Sequence, residues 1–227
     1  MGEFAVGQPE FAENREPRCP VILLLDTSGS MNGEPIQKLN EGIVRFKEDL
    51  EKDTLATLRV EVAIVTFGPV QMEQDFVTVD RFQPSSLNAD NMTPMGEAIN
   101  YALDLLEDRK QTYKYHGIEY YRPWVMLITD GAPNSDDPWQ EAAKRVREGE
   151  DKKKHMFFAI GVEGADMDTL KQIAPPKRPP LKLKELKFEE LFRWVSNSLG
   201  AVSNSGTPGA GGQVELSSVK GWGEVPQ

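Results

Sequence analysis

The residues best suited to chemistry in this sequence are carboxylates and hydroxyls in three separate segments. Asp26-Thr27-Ser28-Gly29-Ser30 places one carboxylate and two hydroxyls at alternate positions, and Gly29 gives the backbone freedom to curl around a small ion. Thr93 and Asp130 belong to two distant segments and would complete a set of hard oxygen donors. Mg²⁺ prefers such donors, with one or two carboxylates and several waters. The sequence therefore predicts a Mg²⁺ site, and the absence of Cys and His from the set disfavours zinc or copper.

Structural roles compete with metal binding at three of these five positions. Ser28 and Ser30 are common turn residues, and Thr93 followed by Pro94 fits the start of a helix, where Thr caps and Pro follows. Asp26 and Asp130 are harder to explain in this way, because each follows an apolar run where an uncompensated carboxylate is costly. Two such carboxylates side by side would repel each other unless a cation lay between them.

Strands and helices alternate along the chain and must position these residues. Apolar runs at 21–25 and 124–128 predict strands that are buried on both faces. Residues 58–67 and 70–79 are rich in β-forming residues and are separated by Gly68-Pro69, which predicts an antiparallel hairpin. Apolar side chains at helical spacing predict helices at 36–50, from about 94 to 106, near 138–151, around 166–173 and from 188 to 199. Residues 155–161 predict a further strand, and 181–184 predict an edge strand guarded by lysines.

This order predicts an α/β protein with a Rossmann-like, doubly wound, mostly parallel six-stranded sheet and one antiparallel edge strand. In the strand order 3-2-1-4-5-6, strands 1 and 4 are neighbours at the topological switch point, where ligands bind beyond the carboxyl ends of the strands. Asp26 and Asp130 follow those two strands. We expect an N-terminal extension at 1–16, the domain at 17–200, and a flexible linker and C-terminal tail at 201–227.

Composition narrows the range of partners. The chain has 36 acidic and 26 basic residues and a formal charge of −10, which disfavours nucleic acid and anionic membranes as partners.

The single cysteine, Cys19, excludes an internal disulfide. We find no signal peptide and no membrane span, and predict a cytoplasmic protein. The basic stretches 152–154 and 177–187 are interpreted as a solvated helix end and as protection of an edge strand. Phosphate binding is the alternative, and no GxxxxGK(S/T) loop supports it. Trp222 either docks on the domain or a partner or belongs to a disordered end.

Three motifs resemble a known family. The sequences DTSGSM at 26–31, TPMG at 93–96 and ITDGAPN at 128–134 resemble the loops of the metal-ion-dependent adhesion site (MIDAS) of von Willebrand factor A domains. The resemblance extends over about 17–200. It implies that Ser28, Ser30 and Thr93 bind the metal directly and that Asp26 and Asp130 bind it directly or through water. It also implies that an acidic group of a partner completes the coordination of Mg²⁺, with Mn²⁺ and Ca²⁺ as alternatives.

The stretch EPRCPVILLLDTSGSMNGEPI at 16–36 is similar to the bacterial TerY-like proteins associated with tellurium resistance. That similarity implies a stress-signalling complex with a PP2C-type phosphatase and a protein kinase. We expect a metal-dependent protein-interaction module without enzymatic activity. The alternatives are a Mg²⁺-dependent phosphotransferase of the haloacid-dehalogenase type, a surface adhesion domain and an adaptor of a hexameric ATPase. Ser28 argues against the first, because such enzymes need an aspartate at that position as acid and base.

Overall fold

The computed structural model of the chain describes residues 9–90, 92–206, 208, 216 and 218–226. Its centre is one sheet in the order β3-β2-β1-β4-β5-β6-β7. The strands β1, β2, β4, β5 and β6 are parallel, whereas β3 pairs antiparallel with β2 and β7 pairs antiparallel with β6. The strand bounds are β1 Cys19–Asp26, β2 Val60–Phe67, β3 Gln71–Thr78, β4 Trp124–Thr129, β5 Met156–Gly161, β6 Leu181–Leu183 and β7 Gly223–Glu224.

Helices cover both faces of this sheet because neighbouring strand residues point to opposite sides. In β1, Val21, Leu23 and Leu25 pack with α2 and α7, whereas Ile22 and Leu24 pack with α4, α5 and α6. The helix bounds are α1 Pro9–Glu13, α2 Glu34–Leu50, α3 Thr54–Arg59, α4 Met95–His116, α5 Trp139–Asp151, α6 Met167–Ile173 and α7 Phe188–Ser203. The structure confirms the predicted α/β fold class and strand order, and β7 adds a two-residue strand to the six predicted.

Two predictions about the strands are wrong. Residues 58 and 59 belong to α3, because the Asp53 carboxylate accepts hydrogen bonds from the backbone N–H groups of Leu55 and Ala56 and starts a helix there. Residues 181–184 are not a free sheet edge, because the tail returns to pair with β6. The backbone N–H of Lys184 donates to the carbonyl of Trp222 at 2.8 Å, and the Lys184 ammonium pairs with Glu224.

The ends of the described chain pack against the domain. Phe11 of α1 is buried and contacts Tyr113 of α4 edge to face. Trp222 is buried against Trp194 with 5.4 Å between ring centroids, so in this structure the tail docks on its own domain. Of the predicted linker and tail at 201–227, residues 201–203 are the end of α7, and 207, 209–215, 217 and 227 lie outside the described residues. The domain boundaries at 17 and 200 stay a prediction.

Two further observations concern the thiol of Cys19 and the length and polarity of the helices. Cys19 is buried, and burial raises the pKa of its thiol to about 12, so the thiol stays protonated at neutral pH. None of the helices that the structure describes is both long and apolar enough to cross a lipid bilayer.

Candidate metal centre

The carboxyl ends of β1 and β4 bring Asp26 and Asp130 to the same edge of the sheet. The two strands are parallel neighbours, and Leu25 is in register with Ile128. Asp26 is fully buried and Asp130 is 7% exposed. We call the sheet edge at the carboxyl ends of the parallel strands the metal edge. The sequence prediction that the fold places these two aspartates together is confirmed.

Asp26 is held by two hydrogen bonds, one to each carboxylate oxygen. Its Oδ1 accepts from the backbone N–H of Ser28 at 2.8 Å, and its Oδ2 accepts from the hydroxyl of Thr129 at 2.5 Å. Thr129 was not predicted as a site residue, although its position directly before Asp130 is a usable signal. Its hydroxyl also accepts from the backbone N–H of Gly131 at 3.1 Å. The carboxylate of Asp26 is therefore fixed in orientation at the floor of the site.

The two serines connect the aspartates. The Ser30 hydroxyl donates to Oδ1 of Asp130 at 2.7 Å, and the Ser28 and Ser30 hydroxyl oxygens are 3.1 Å apart. Ser28 is buried, whereas Ser30 is exposed. Carboxylate and hydroxyl oxygens thus form one connected cluster that reaches from the buried Asp26 to the surface.

Thr93 reaches the same cluster from the loop before α4. A β-carbon placed on Gly131 would lie 3.5 Å from the Thr93 hydroxyl oxygen and 3.8 Å from Oδ2 of Asp26. Both side chains therefore flank this glycine. Asn134 holds the Thr93 backbone in place. Its side-chain oxygen accepts from the backbone N–H of Thr93 at 3.1 Å, and its backbone N–H donates to the backbone carbonyl of Thr93 at 3.2 Å.

The competing role of Thr93 as a helix cap is filled by another residue. The carboxylate of Asp137 accepts from the backbone N–H groups of Gly96 and Glu97 at 2.5 and 3.1 Å, at the start of α4. Burial raises the pKa of Asp137, and these two hydrogen bonds only partly oppose the shift. The N-cap residue of α4 is Pro94, which makes no side-chain capping hydrogen bond, so Asp137 satisfies these first N–H groups instead of Thr93. Sequence reasoning missed Asp137 because it lies 41 residues from Gly96.

Close packing under the Asp26–Ser30 loop depends on Gly68. A β-carbon at this position would lie 2.7 Å from the backbone of Thr27 and 2.8 Å from the backbone nitrogen of Ser28. Its φ of +149° is also a conformation that side chains rarely adopt. Gly68 was predicted only as a turn residue. The structure shows that it also lets β2 support the loop.

The two aspartates lack a positive partner. Burial raises the pKa of Asp26, hydrogen bonds from Ser28 and Thr129 oppose that rise, and the nearby Asp130 charge adds to it. Burial likewise raises the pKa of Asp130, against the hydrogen bond from Ser30. Within the described ranges, no Lys, Arg or His forms a salt bridge with either carboxylate. Two buried carboxylates without a counter-ion are electrostatically unfavourable.

The loops around the site are acidic as well. Loops 27–33, 83–94, 130–138 and 162–166 contain no Lys or Arg in their sequences, and their acidic residues are Asp90, Asp130, Asp136, Asp137, Glu163 and Asp166. Such a concentration of one sign of charge attracts cations to the carboxyl ends of β1 and β4.

The donor set fits a hard divalent cation. Among the residues that the structure describes, no group of three or more His, Cys, Asp or Glu side chains could hold a metal. A metal at this edge would therefore take hydroxyl and water oxygens beside the two carboxylates, which suits Mg²⁺ rather than zinc. The structure brings all five predicted side chains together, and their role as metal ligands stays a prediction.

Comparisons with known proteins agree with this architecture. The model of the von Willebrand factor type A domain family matches residues 21–192. Inter-alpha-trypsin inhibitor heavy chain H4 of Sus scrofa is 26% identical over 145 residues, which are 62% of this chain and 15% of that protein. The chain thus spans only a small part of the length of this relative.

Solved structures share the fold at low sequence identity. The vWF domain of the type V pili tip protein Mfa5 from Porphyromonas gingivalis superimposes with a TM-score of 0.61 at 10% identity, over 84% of this chain and 98% of that one. The manganese-loaded TRAP protein of Plasmodium vivax gives a TM-score of 0.52 at 19% identity, over 77% of this chain and 71% of that one. On the strength of the family match over most of its length, the chain belongs to the von Willebrand factor type A domain family.

Proposed function

We propose that this protein is a metal-dependent protein-interaction module whose metal edge binds an acidic group of a partner. Domains of this family act in metal-dependent protein–protein interactions and are generally not enzymes. In the proposed site, Asp26, Ser28, Ser30, Thr93 and Asp130 hold Mg²⁺, or Mn²⁺ or Ca²⁺ in its place. The supporting observation is the pair of buried aspartates that share a hydroxyl network and form no salt bridge with any basic side chain that the structure describes.

The bound ion would supply a Lewis-acidic positive centre for a carboxylate of the partner. This chain's own residues prepare the site. Thr129 and the Ser28 backbone fix the Asp26 carboxylate, and Ser30 fixes that of Asp130. Ligands oriented in advance lose little conformational freedom when the ion binds.

Access from solvent favours a partner of ordinary protein size rather than a small buried ligand. Ser30 lies exposed at the rim of the cluster, and Met92, directly before Thr93, is 65% exposed. An unbranched, polarisable side chain such as Met adapts to different apolar surfaces. The partner surface that we infer therefore presents an acidic side chain next to an apolar one.

The geometry favours binding over covalent catalysis at Asp26. Both of its carboxylate oxygens accept hydrogen bonds, and the position two residues later is a buried serine instead of a second aspartate. A phosphotransferase of the haloacid-dehalogenase type needs a nucleophilic carboxylate and a nearby acid and base. We propose that the protein has no enzymatic activity of its own.

The partners that we propose follow from the resemblance of residues 16–36 to the TerY-like proteins. They are a PP2C-type phosphatase and a protein kinase in a bacterial stress or tellurite-resistance complex. Either enzyme would be captured through an acidic side chain on its surface.

A capture experiment with four arms tests this function. Immobilised wild type, Asp26→Ala and the control Asp136→Ala are exposed to the same lysate with Mg²⁺, and wild type is also exposed with a chelator. Asp136 is an exposed aspartate at the same edge, so its removal matches the charge change. We expect proteins that wild type and Asp136→Ala retain, and that Asp26→Ala and the chelator release. Identical sets of captured proteins in all four arms would refute metal-dependent recognition.

A further inference from the structure

The sheet has a second charged edge, at the amino ends of β4, β5 and β6, opposite the metal edge. Three loops lead into these neighbouring parallel strands, at residues 117–123, 152–155 and 174–180. Their sequences contain a single acidic residue, Glu119, and six basic ones: Arg122, Lys152, Lys153, Lys154, Lys177 and Arg178. A net positive edge is unexpected in a chain with a formal charge of −10. We call it the basic edge.

Glu150, near the end of α5, organises two arginines at this edge. Nη2 of Arg122 is 3.0 Å from Oε1 of Glu150, and Nη2 of Arg178 is 3.3 Å from the same oxygen. The second oxygen of Glu150 accepts from the backbone N–H of Phe157 at 3.0 Å. Because both guanidinium groups contact one carboxylate oxygen, they lie within reach of a single small anion.

The orientation of both arginines is fixed by further contacts. Nη2 of Arg122 also donates to the backbone carbonyl of Glu150 at 2.8 Å. The guanidinium of Arg178 lies over the ring of Phe158, with its carbon 4.6 Å from the ring centroid. A cation–π contact of this kind restrains the position of the guanidinium group.

Arg122 and Arg178 together have more positive charge and more N–H donors than Glu150 can neutralise and accept. One carboxylate neutralises one guanidinium, so one positive charge remains. The Nε atoms of Arg122 and Arg178 are buried and have no hydrogen-bond partner within the described part of the chain. Unpaired buried donors are unfavourable. The two side chains as a whole are 29% and 24% exposed, so a ligand from solvent can reach the exposed part of each side chain, next to its buried Nε atom.

We propose that Arg122 and Arg178 form a binding site for a phosphate group presented by a phosphorylated side chain of a partner protein. A phosphorylated side chain has a charge of about −1.5 to −2 at pH 7 and three strong acceptor oxygens. Arginine matches these oxygens with paired N–H donors, and charge-assisted hydrogen bonds of this type are the strong ones. The lysines at 152–154 and Lys177 add attraction at longer range.

A single phosphate group fits this edge better than an extended polyanion. Glu148 and Asp151, exposed residues of α5, border the basic loops, and the chain as a whole is strongly acidic. Nucleic acid would place many phosphates against these acidic surroundings, where they are repelled. A short phosphorylated segment places its charge only on the arginine pair.

Single substitutions of the arginines should not unfold the protein. When Arg122 is replaced, Arg178 still pairs with Glu150, and the reverse holds when Arg178 is replaced. No buried charge is left without a partner in either variant. Arg145→Gln is a matched control, because Arg145 pairs with Asp104 on a different part of the surface.

The test is a titration of the full chain followed by NMR, with EDTA present so that phosphate cannot bind through a metal. The probes are inorganic phosphate, a short phosphoserine peptide, its unphosphorylated form and a 12-bp DNA duplex. We expect saturable shifts of the Arg122 and Arg178 Nε–H signals with phosphate and the phosphopeptide. Arg122→Gln and Arg178→Gln should each weaken phosphopeptide binding by roughly tenfold or more, the effect of losing a charge-assisted hydrogen-bonding group. Arg145→Gln should bind as wild type does.

Three results would overturn the proposal. The first is unchanged phosphopeptide affinity in both arginine variants, which would exclude the pair as the site. The second is equal affinity for the phosphorylated and unphosphorylated peptides. The third is tighter binding of the DNA duplex than of the phosphopeptide, which would identify the basic edge as a nucleic acid surface. Because the test runs without metal, none of these outcomes bears on the function proposed for the metal edge.

Discussion

Replacing Asp26 with Asn should have opposite effects with and without a divalent metal. Asn keeps the shape of Asp, so its side-chain oxygen can accept from the Ser28 N–H and its amide can donate to the Thr129 hydroxyl oxygen. The substitution removes one of two buried negative charges that have no positive partner in the described part of the chain. Without metal, we therefore expect Asp26→Asn to be at least as stable as wild type.

With metal, the order should reverse. A ligand that binds only the folded state at 100 times its dissociation constant stabilises it by about 2.7 kcal/mol. In a domain of this size, each kcal/mol raises Tm by about 2–4 °C, which predicts a rise of roughly 5–10 °C for wild type. Asp26→Asn loses a charged ligand from a site with only two, so its Tm should hardly respond.

Thermal unfolding of each protein in EDTA and in increasing Mg²⁺ measures both effects. Asp136→Asn is the matched control, since it makes the same chemical change at an exposed position of the same edge. It should respond to Mg²⁺ as wild type does. The reasoning fails if Asp26→Asn and wild type gain the same Tm with Mg²⁺, or if Asp26→Asn is clearly less stable than wild type in EDTA.

Four further predictions concern individual side chains. Thr93→Ala should leave the Tm without metal nearly unchanged and should reduce the rise in Tm that Mg²⁺ causes. Asp137→Ala removes the cap of α4 and should lower the free energy of unfolding in urea by about 1–2 kcal/mol, with or without metal. Burial lowers the pKa of His155 to about 4, so its contribution to stability is complete above pH 6.5 and is lost as the pH falls towards 4. Urea unfolding should show a loss of up to about 3 kcal/mol over this range, which His155→Gln lacks; equal pH dependence in both proteins would contradict this. Trp222→Ala should lower the unfolding free energy by roughly 2–3 kcal/mol and speed amide exchange at Lys184, whose N–H donates to the Trp222 carbonyl; unchanged exchange would show that the tail does not dock in solution.

Most of the sheet could be predicted because its signals are local. The run at 21–25 is uniformly apolar, as expected for a central parallel strand, and the alternation of strands and helices then determines the strand order. The start of β2 was misplaced because 58–59 precede a β-rich run directly, and the Asp53 cap that makes them helical was not recognised. α1 and β7 have short sequences without periodicity. Phe11 and Trp222 form contacts with distant residues that local patterns do not reveal.

The residues of the candidate site also fall into those that the sequence could predict and those that it could not. Asp26 and Asp130 were predictable because strand ends at a topological switch point are a property of the fold. Thr129, Asp137 and Gly68 were missed as site residues because each acts on a residue of another segment, as an orienting hydroxyl, a helix cap and a close backbone contact. Residue type alone does not distinguish such roles from ordinary surface or turn positions.

The distance between the metal edge and the basic edge makes the two sites electrostatically independent. They lie at opposite ends of β4, and a strand of six residues is about 20 Å long at about 3.3 Å per residue. The screening length at physiological ionic strength is about 8 Å, so a charge change at one edge is weakly felt at the other. In our two proposals, the domain binds a carboxylate of one protein at the metal edge and a phosphate group of another at the basic edge, and at this separation the two ligands do not compete for the same residues.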